Sequence, residues 1–144
     1  MSLELGFFIP PVPPEEFTKM ALRAEEVGYD FVTCDDHMIY PFGAPFSEEE
    51  QEYGIHEAWT AMTCVAGATS KIKVSHMVLV TTFRGPGLLA KMAATLDLFS
   101  GGRMDLTVGA GWFEREFRAF DFPWEDHKGR LEREREAVKI IRSL

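Results

Sequence analysis

The order of apolar and polar positions predicts alternating strands and helices. Leu3 to Ile9 is a short apolar run stopped by Pro10-Pro11, residues that cannot donate to a ladder, and reads as a buried strand. Pro14 opens a helical pattern with Phe17, Met20, Ala21, Ala24 and Val27 on one face. Glu15 and Glu16 sit in its first turn, where the helix dipole favours anions, and Gly28 suits the position after its end. Asp30 to Asp35 is a second strand. Met38 to His56 has no clean period and reads as a long loop of the kind that usually carries function. Glu57 to Thr69 reads as a helix rich in small residues, apolar around most of its surface and expected to be covered on more than one side. Lys73 to Thr82 is a third, largely apolar strand. Pro86 starts a third helix with the stripe Leu89, Met92, Ala93, Leu96 and Phe99, ended by Gly101-Gly102. Met104 to Val108 is a fourth strand, running into Gly109-Ala110-Gly111. A long amphipathic helix, His127 to Leu144, follows, with Leu131, Val138 and Ile141 as its buried stripe and Glu132 to Glu136 as a solvated face.

This βαβαβαβα order specifies a parallel α/β sheet with right-handed crossovers. An open doubly wound sheet fits, and so does part of a (β/α)8 barrel. Ile140 to Leu144 is still in helical register with no Gly, Asn or Pro to stop it. The expectation is one domain over residues 1–144 that is incomplete at its C-terminus or continued in a partner.

Composition narrows the function classes. With 15 Lys and Arg against 23 Asp and Glu, the 144-residue chain carries a net charge of -8. That argues against nucleic-acid binding and against adhesion to an anionic membrane surface. Cys34 and Cys64 both lie in apolar segments outside any CxxC pair, and are expected to be buried, reduced thiols of a cytoplasmic protein. No signal peptide is visible, and the most apolar run, Val74 to Phe83, is too short to span a membrane.

In both architectures ligands bind at the carboxyl ends of the strands. His37, after strand two and beside Asp35 and Asp36, is the best candidate for proton transfer, because an imidazole titrates near neutrality and neighbouring carboxylates tune it. A metal site is not expected from Cys34 to His37, since adjacent strand residues point to opposite faces. Gly109-Ala110-Gly111 is a weak dinucleotide fingerprint; two close glycines more simply mean close approach to the backbone. Trp112 either walls a planar ligand or is a buried core indole. His56, His76 and His127 carry no pattern, and His76 reads as a satisfied core residue.

The blocks Thr82-Phe83-Arg84-Gly85-Pro86, Leu89-Ala90-Lys91, Ala94-Thr95-Leu96-Asp97, Ser100-Gly101-Gly102-Arg103 and Val108-Gly109-Ala110-Gly111-Trp112 with Glu116 resemble the luciferase-like monooxygenase family. Asp36-His37 and the last helix, opening near Arg130-Leu131 with Glu134, fit the same family. The resemblance implies (β/α) units of a TIM (β/α)8 barrel, about its first half, a small-molecule substrate, a homo-oligomer, and FMN or coenzyme F-420 as cofactor. The sequence looks more like the F-420-using branch. There the histidine after strand two, here His37, lies beside the reacting carbon. The third strand there carries a non-proline cis peptide under the deazaflavin, which falls at Met77–Val78. Asp36, Met77, Val78, Gly109, Gly111 and Trp112 become the cofactor-binding candidates, and the loop around Tyr40 to Phe46 with Trp112 would exclude water. Sugar-phosphate dehydrogenases of that branch have Glu at the position of Trp112, which argues against that substrate. The reading is a flavin- or deazaflavin-dependent oxidoreductase, by hydride transfer or oxygenation. The alternative is a non-catalytic half-barrel that acts only by assembly.

Overall fold

A computed structural model describes residues 3–39 and 55–144. The chain runs β1 (Gly6–Phe8), α1 (Pro14–Val27), β2 (Phe31–Cys34), α2 (Ala58–Ala68), β3 (Lys73–His76), β4 (Leu79–Val80), α3 (Pro86–Ser100), β5 (Val108–Gly109), α4 (Glu114–Ala119) and α5 (His127–Ser143). Strands β1, β2 and β3 are parallel neighbours in that order, with Phe7 opposite Val32 and Val32 opposite Val74. Strands β4 and β5 form a second parallel pair, with Val80 opposite Gly109. A bridge between Val74 and Met104 joins the two ladders, so the chain from Met104 to Gly109 follows β3 and then β4.

The expected strand Lys73 to Thr82 is therefore two strands. The break falls at Met77–Val78, whose peptide bond is cis. The Met77 amide still donates to Cys34 O at 2.7 Å, and Leu79 resumes pairing through Thr107 O at 3.0 Å. Helix α4 is an addition to the sequence reading: six residues are too few to show a 3.6-residue period.

Local chemistry sets the helix limits. Pro14 is at the start of α1, and Gly28 ends it at φ 92°, returning its amide to Ala24 O and Glu25 O. Glu57 caps α2 through the amides of Trp59 and Thr60, and Asp126 caps α5 through Gly129. Glu25 accepts the amides of Ser70, Lys71 and Ile72, fastening the chain that enters β3 to the end of α1. Burial alone would raise its pKa, but those three donors outweigh it and pull it down to about 2. Arg103 gathers the other side. Its guanidinium donates to Ala66 O at 2.7 Å, Ile72 O at 2.9 Å, Ser100 O at 2.8 Å and Thr69 O at 3.2 Å, closing the ends of α2 and α3 around one cation.

The core lies where α1, α2 and α3 cover one face of the sheet. Ile9, Val32, Val74, Ala21, Met62, Val65 and Leu89 are fully buried there. Four expectations fail at its rim. Helix α2 is covered on one side only: Trp59, Met62, Val65 and Ala66 are buried, while Thr60, Thr63, Cys64, Gly67 and Ala68 face out. Cys64 is thus exposed, and only Cys34 is the buried thiol expected of both, its pKa pushed up by that burial. On α3, Leu89 and Leu96 are buried but Phe99 is 86% exposed, because it falls on the stripe edge that faces a groove with Trp59 and Thr63. On α5 only Ala137 is buried. Ile141 packs partly against the core beside α3, whereas Leu131, nearly three turns earlier, is exposed. A second, smaller cluster of Val80, Phe83 and Phe117, with Met38, Phe122 and Trp124, sits beyond the carboxyl ends of the strands. Arg130 lies 4.1 Å over the Trp124 ring and clips α5 to that cluster.

Candidate functional site

The carboxyl ends of β2, β4 and β5 surround a cleft of about 280 Å³. Asp36, His37, Met77, Val78, Gly109, Gly111 and Trp112, seven residues singled out from sequence, all line it, together with Val80, Ala110 and Glu116. The volume is near the lower end of small-molecule pockets, roughly 300–1,000 Å³. The segment Tyr40 to Phe46, expected to exclude water, lies outside the described residues.

His37 is held from one side. Its Nδ1 lies 3.0 and 3.1 Å from the two carboxylate oxygens of Glu116, and the Met38 amide donates to the same carboxylate at 2.9 Å. Glu116 is fully buried on α4, so this acceptor does not exchange with water. Burial pushes the His37 imidazole down, but the hydrogen bond and charge of Glu116, aided by Asp35 and Asp36, outweigh it and hold His37 above the ordinary histidine value. Asp35, half-buried, is raised by burial, with His37 opposing. With Nδ1 committed to Glu116, Nε2 is the nitrogen left for chemistry in the cleft.

The walls are aromatic and apolar. The Trp112 ring stands edge-on to His37 at 5.6 Å and is 56% exposed, which removes the core-indole reading. Phe113 stands edge-on on the same side at 6.3 Å. Met77 and Val78 turn apolar surface outward across the cleft, 59% and 41% exposed. The glycines are needed where the chain is crowded. A Cβ on Gly109 would lie 2.5 Å from Val78 Cγ2; one on Gly111, whose φ is 76°, would lie 2.5 Å from the Phe117 ring.

Asp36 borders the cleft, but its carboxylate is fully engaged. Oδ2 accepts from the Val80 amide and from Arg84 Nη1, each at 2.8 Å, and Oδ1 accepts from Arg84 Nη2 at 3.0 Å. Arg84 also pairs with Glu57, the cap of α2. Away from the cleft, His76 is buried and stacks on Trp59 at 5.6 Å with rings 7° from parallel. It is a core residue, as expected; among the described residues neither ring nitrogen makes a well-formed hydrogen bond, and the Ala58 backbone is the polar group beside it. Burial lowers its pKa to about 4. The sequence reading missed the roles of Glu116 and Arg84. Both occur within the resembling blocks, but only the fold shows what each one holds.

The sequence profile of luciferase-like monooxygenases matches residues 4–144. The chain is 37% identical over 134 residues to an F420-dependent glucose-6-phosphate dehydrogenase of Amycolatopsis mediterranei, covering 91% of this chain and 38% of that protein. It is 33% identical over 126 residues to an FMNH(2)-dependent dimethylsulfone monooxygenase of Pseudomonas putida, covering 88% of this chain and 32% of that one. Among solved structures, an F420-dependent secondary alcohol dehydrogenase in complex with an F420-acetone adduct superposes with a TM-score of 0.84 at 29% identity, over 100% of this chain and 42% of the other. The chain therefore spans between about a third and two fifths of the length of these relatives. On the profile, the identities and the parallel α/β architecture together, the chain belongs to the luciferase-like monooxygenase family.

Proposed function

We propose that this chain is the first half of a (β/α)8 barrel and carries the proton-transfer side of an F-420- or FMN-dependent oxidoreductase site. One observation carries the reading: a histidine fixed through Nδ1 by a fully buried carboxylate, at the mouth of a cleft floored by Met77 and Val78. Nε2 of His37 exchanges a proton with the oxygen or nitrogen next to the reacting carbon of a small organic substrate. Glu116 keeps the ring in one orientation and stabilises its protonated form. Trp112 and Phe113 stand edge-on beside the imidazole and cover part of that face.

The cleft fits the ring of such a cofactor. The exposed side chains of Met77 and Val78 offer an apolar shelf, and the volume accommodates a planar ring system without its phosphate tail. Met77, Val78, Gly109 and Gly111 would hold the ring. When bound, F-420 supplies hydride acceptance or donation, and reduced FMN supplies oxygen activation. The similarity to the secondary alcohol dehydrogenase and the Trp112 wall favour F-420 and hydride transfer. Titrating F-420 and FMN separately, with Trp112 fluorescence as readout, tests the assignment. F-420 is expected to perturb Trp112 more strongly than FMN, and His37→Ala to weaken the response. A response that survives both Met77→Gly and Val78→Gly would place the ring elsewhere and defeat the reading.

A further inference from the structure

We propose that Arg84 is a positioning residue for His37, acting through the adjacent Asp36. Asp36 and His37 follow the end of β2 and both border the cleft, but their side chains are taken up by different partners. The two side chains are fastened separately. On the His37 side, Glu116 takes the imidazole and the Met38 amide. On the Asp36 side, the Arg84 fork takes both carboxylate oxygens, and Oδ2 takes the Val80 amide as well. Asp36 and Arg84 are 3% and 8% exposed.

The geometry points to register rather than stability. A buried ion pair contributes little net stability compared with apolar residues of the same volume, because both charges lose their hydration. A two-bond fork does fix direction and distance. Here it fixes three elements to one point: the end of β2 next to His37, strand β4 two residues past Met77–Val78, and the α2 cap Glu57. Arg84 thereby sets where His37 stands relative to the Met77–Val78 shelf. Slack in the fork lets the strand end move and lets Nδ1 leave Glu116.

The proposal deepens the proton-transfer reading, and its test needs no turnover, so the two can fail separately. The variant is Arg84→Lys, which keeps the positive charge and removes the planar fork. The probe is the His37 imidazole titration followed by NMR in the whole chain. The groups facing His37, namely Glu116, Asp35 and Asp36, are unchanged, so a direct charge effect is held nearly constant. The midpoint is expected to fall by about half a pH unit or more, with exchange of the Met38 amide about tenfold faster and that of Val74 unchanged. A purely structural role would speed exchange throughout and leave the His37 midpoint alone. Asp36→Glu, which also conserves charge while displacing the acceptor, is expected to shift the midpoint in the same direction and decides the matter if the lysine variant does not fold. A midpoint within about 0.2 pH unit of the parent in a folded variant overturns the proposal.

Discussion

Glu116 and His37 are 79 residues apart in sequence and 3.0 Å apart in space, and the carboxylate is the fully buried member of the pair. The acid is therefore the fixed point and the imidazole the group that reaches solvent and ligand. That order suits a ring that changes protonation state in a fixed orientation.

Removing the charge while keeping the shape tests that relationship. Glu116→Gln is expected to lower the His37 titration midpoint, because the glutamate hydrogen bond and charge are what overcome burial. For the proposed reaction, His37→Ala is expected to lower turnover by about 10²–10⁴-fold, the range of general acid–base catalysis. Steady-state rates across pH check both. Parental turnover in His37→Ala at saturating substrate would make His37 a structural residue.

The stability of the fold should depend on acid through His76. Its folded pKa of about 4 lies below the unfolded value of 6.5, so the unfolded chain binds the extra proton between them. Its contribution is complete above pH 6.5 and declines as pH falls toward 4, by about 3 kcal/mol in total. His37 acts with the opposite sign: its folded pKa is raised, so its contribution is present at low pH and is lost as pH rises through that value. Urea unfolding at a series of pH values measures the slope, and His76→Phe, which keeps a ring against Trp59, is expected to flatten it between pH 6.5 and 4.

Gly111→Ala is expected to cost about 2–4 kcal/mol, combining left-handed backbone strain with overpacking. The new methyl would meet Phe117 at 2.5 Å and Val80 Cγ1 at 2.9 Å, both inside the small cluster under the cleft. Thermal unfolding reads the loss. A variant as stable as the parent would mean that the loop after β5 can turn without a left-handed residue.

Arg103→Met should cost about 2–4 kcal/mol, more than the loss of one hydrogen bond to a charged group but less than the sum of all of them, because these bonds are only partly buried and their carbonyls regain water. The carbonyls of Ala66, Thr69, Ile72 and Ser100 would lose their shared donor. Hydrogen exchange should locate the damage at the ends of α2 and α3, and uniform loosening of the chain would contradict the clamp.

Periodicity carried the sequence reading as far as the elements and their order, because a turn of α1 or α3 repeats its own pattern several times. Strand ends pointed to His37 and to the glycine turn before Trp112, whereas Met77, inside the expected strand Lys73 to Thr82, was reached only through the family resemblance. The pairings were another matter. Nothing local ties Glu116 to His37 or Arg84 to Asp36, and α4 is too short to advertise which of its glutamates turns inward. The rim positions Phe99, Leu131 and Cys64 misled for a related reason: apolar character gives the face of a helix, but not how far a neighbouring element extends over it.

The three tryptophans occupy three mechanically distinct places: Trp59 in the main core against His76, Trp112 at the cleft, and Trp124 under Arg130 where α5 is clipped on. This gives the chain a built-in set of optical reporters. A protonated imidazole quenches a stacked indole, so the emission of Trp59 records the charge on His76. Trp112 records what enters the cleft, and Trp124 records whether the last helix is docked. Single-tryptophan versions made by replacing the other two with phenylalanine would separate core protonation, ligand entry and helix undocking in one spectrometer, with no external label.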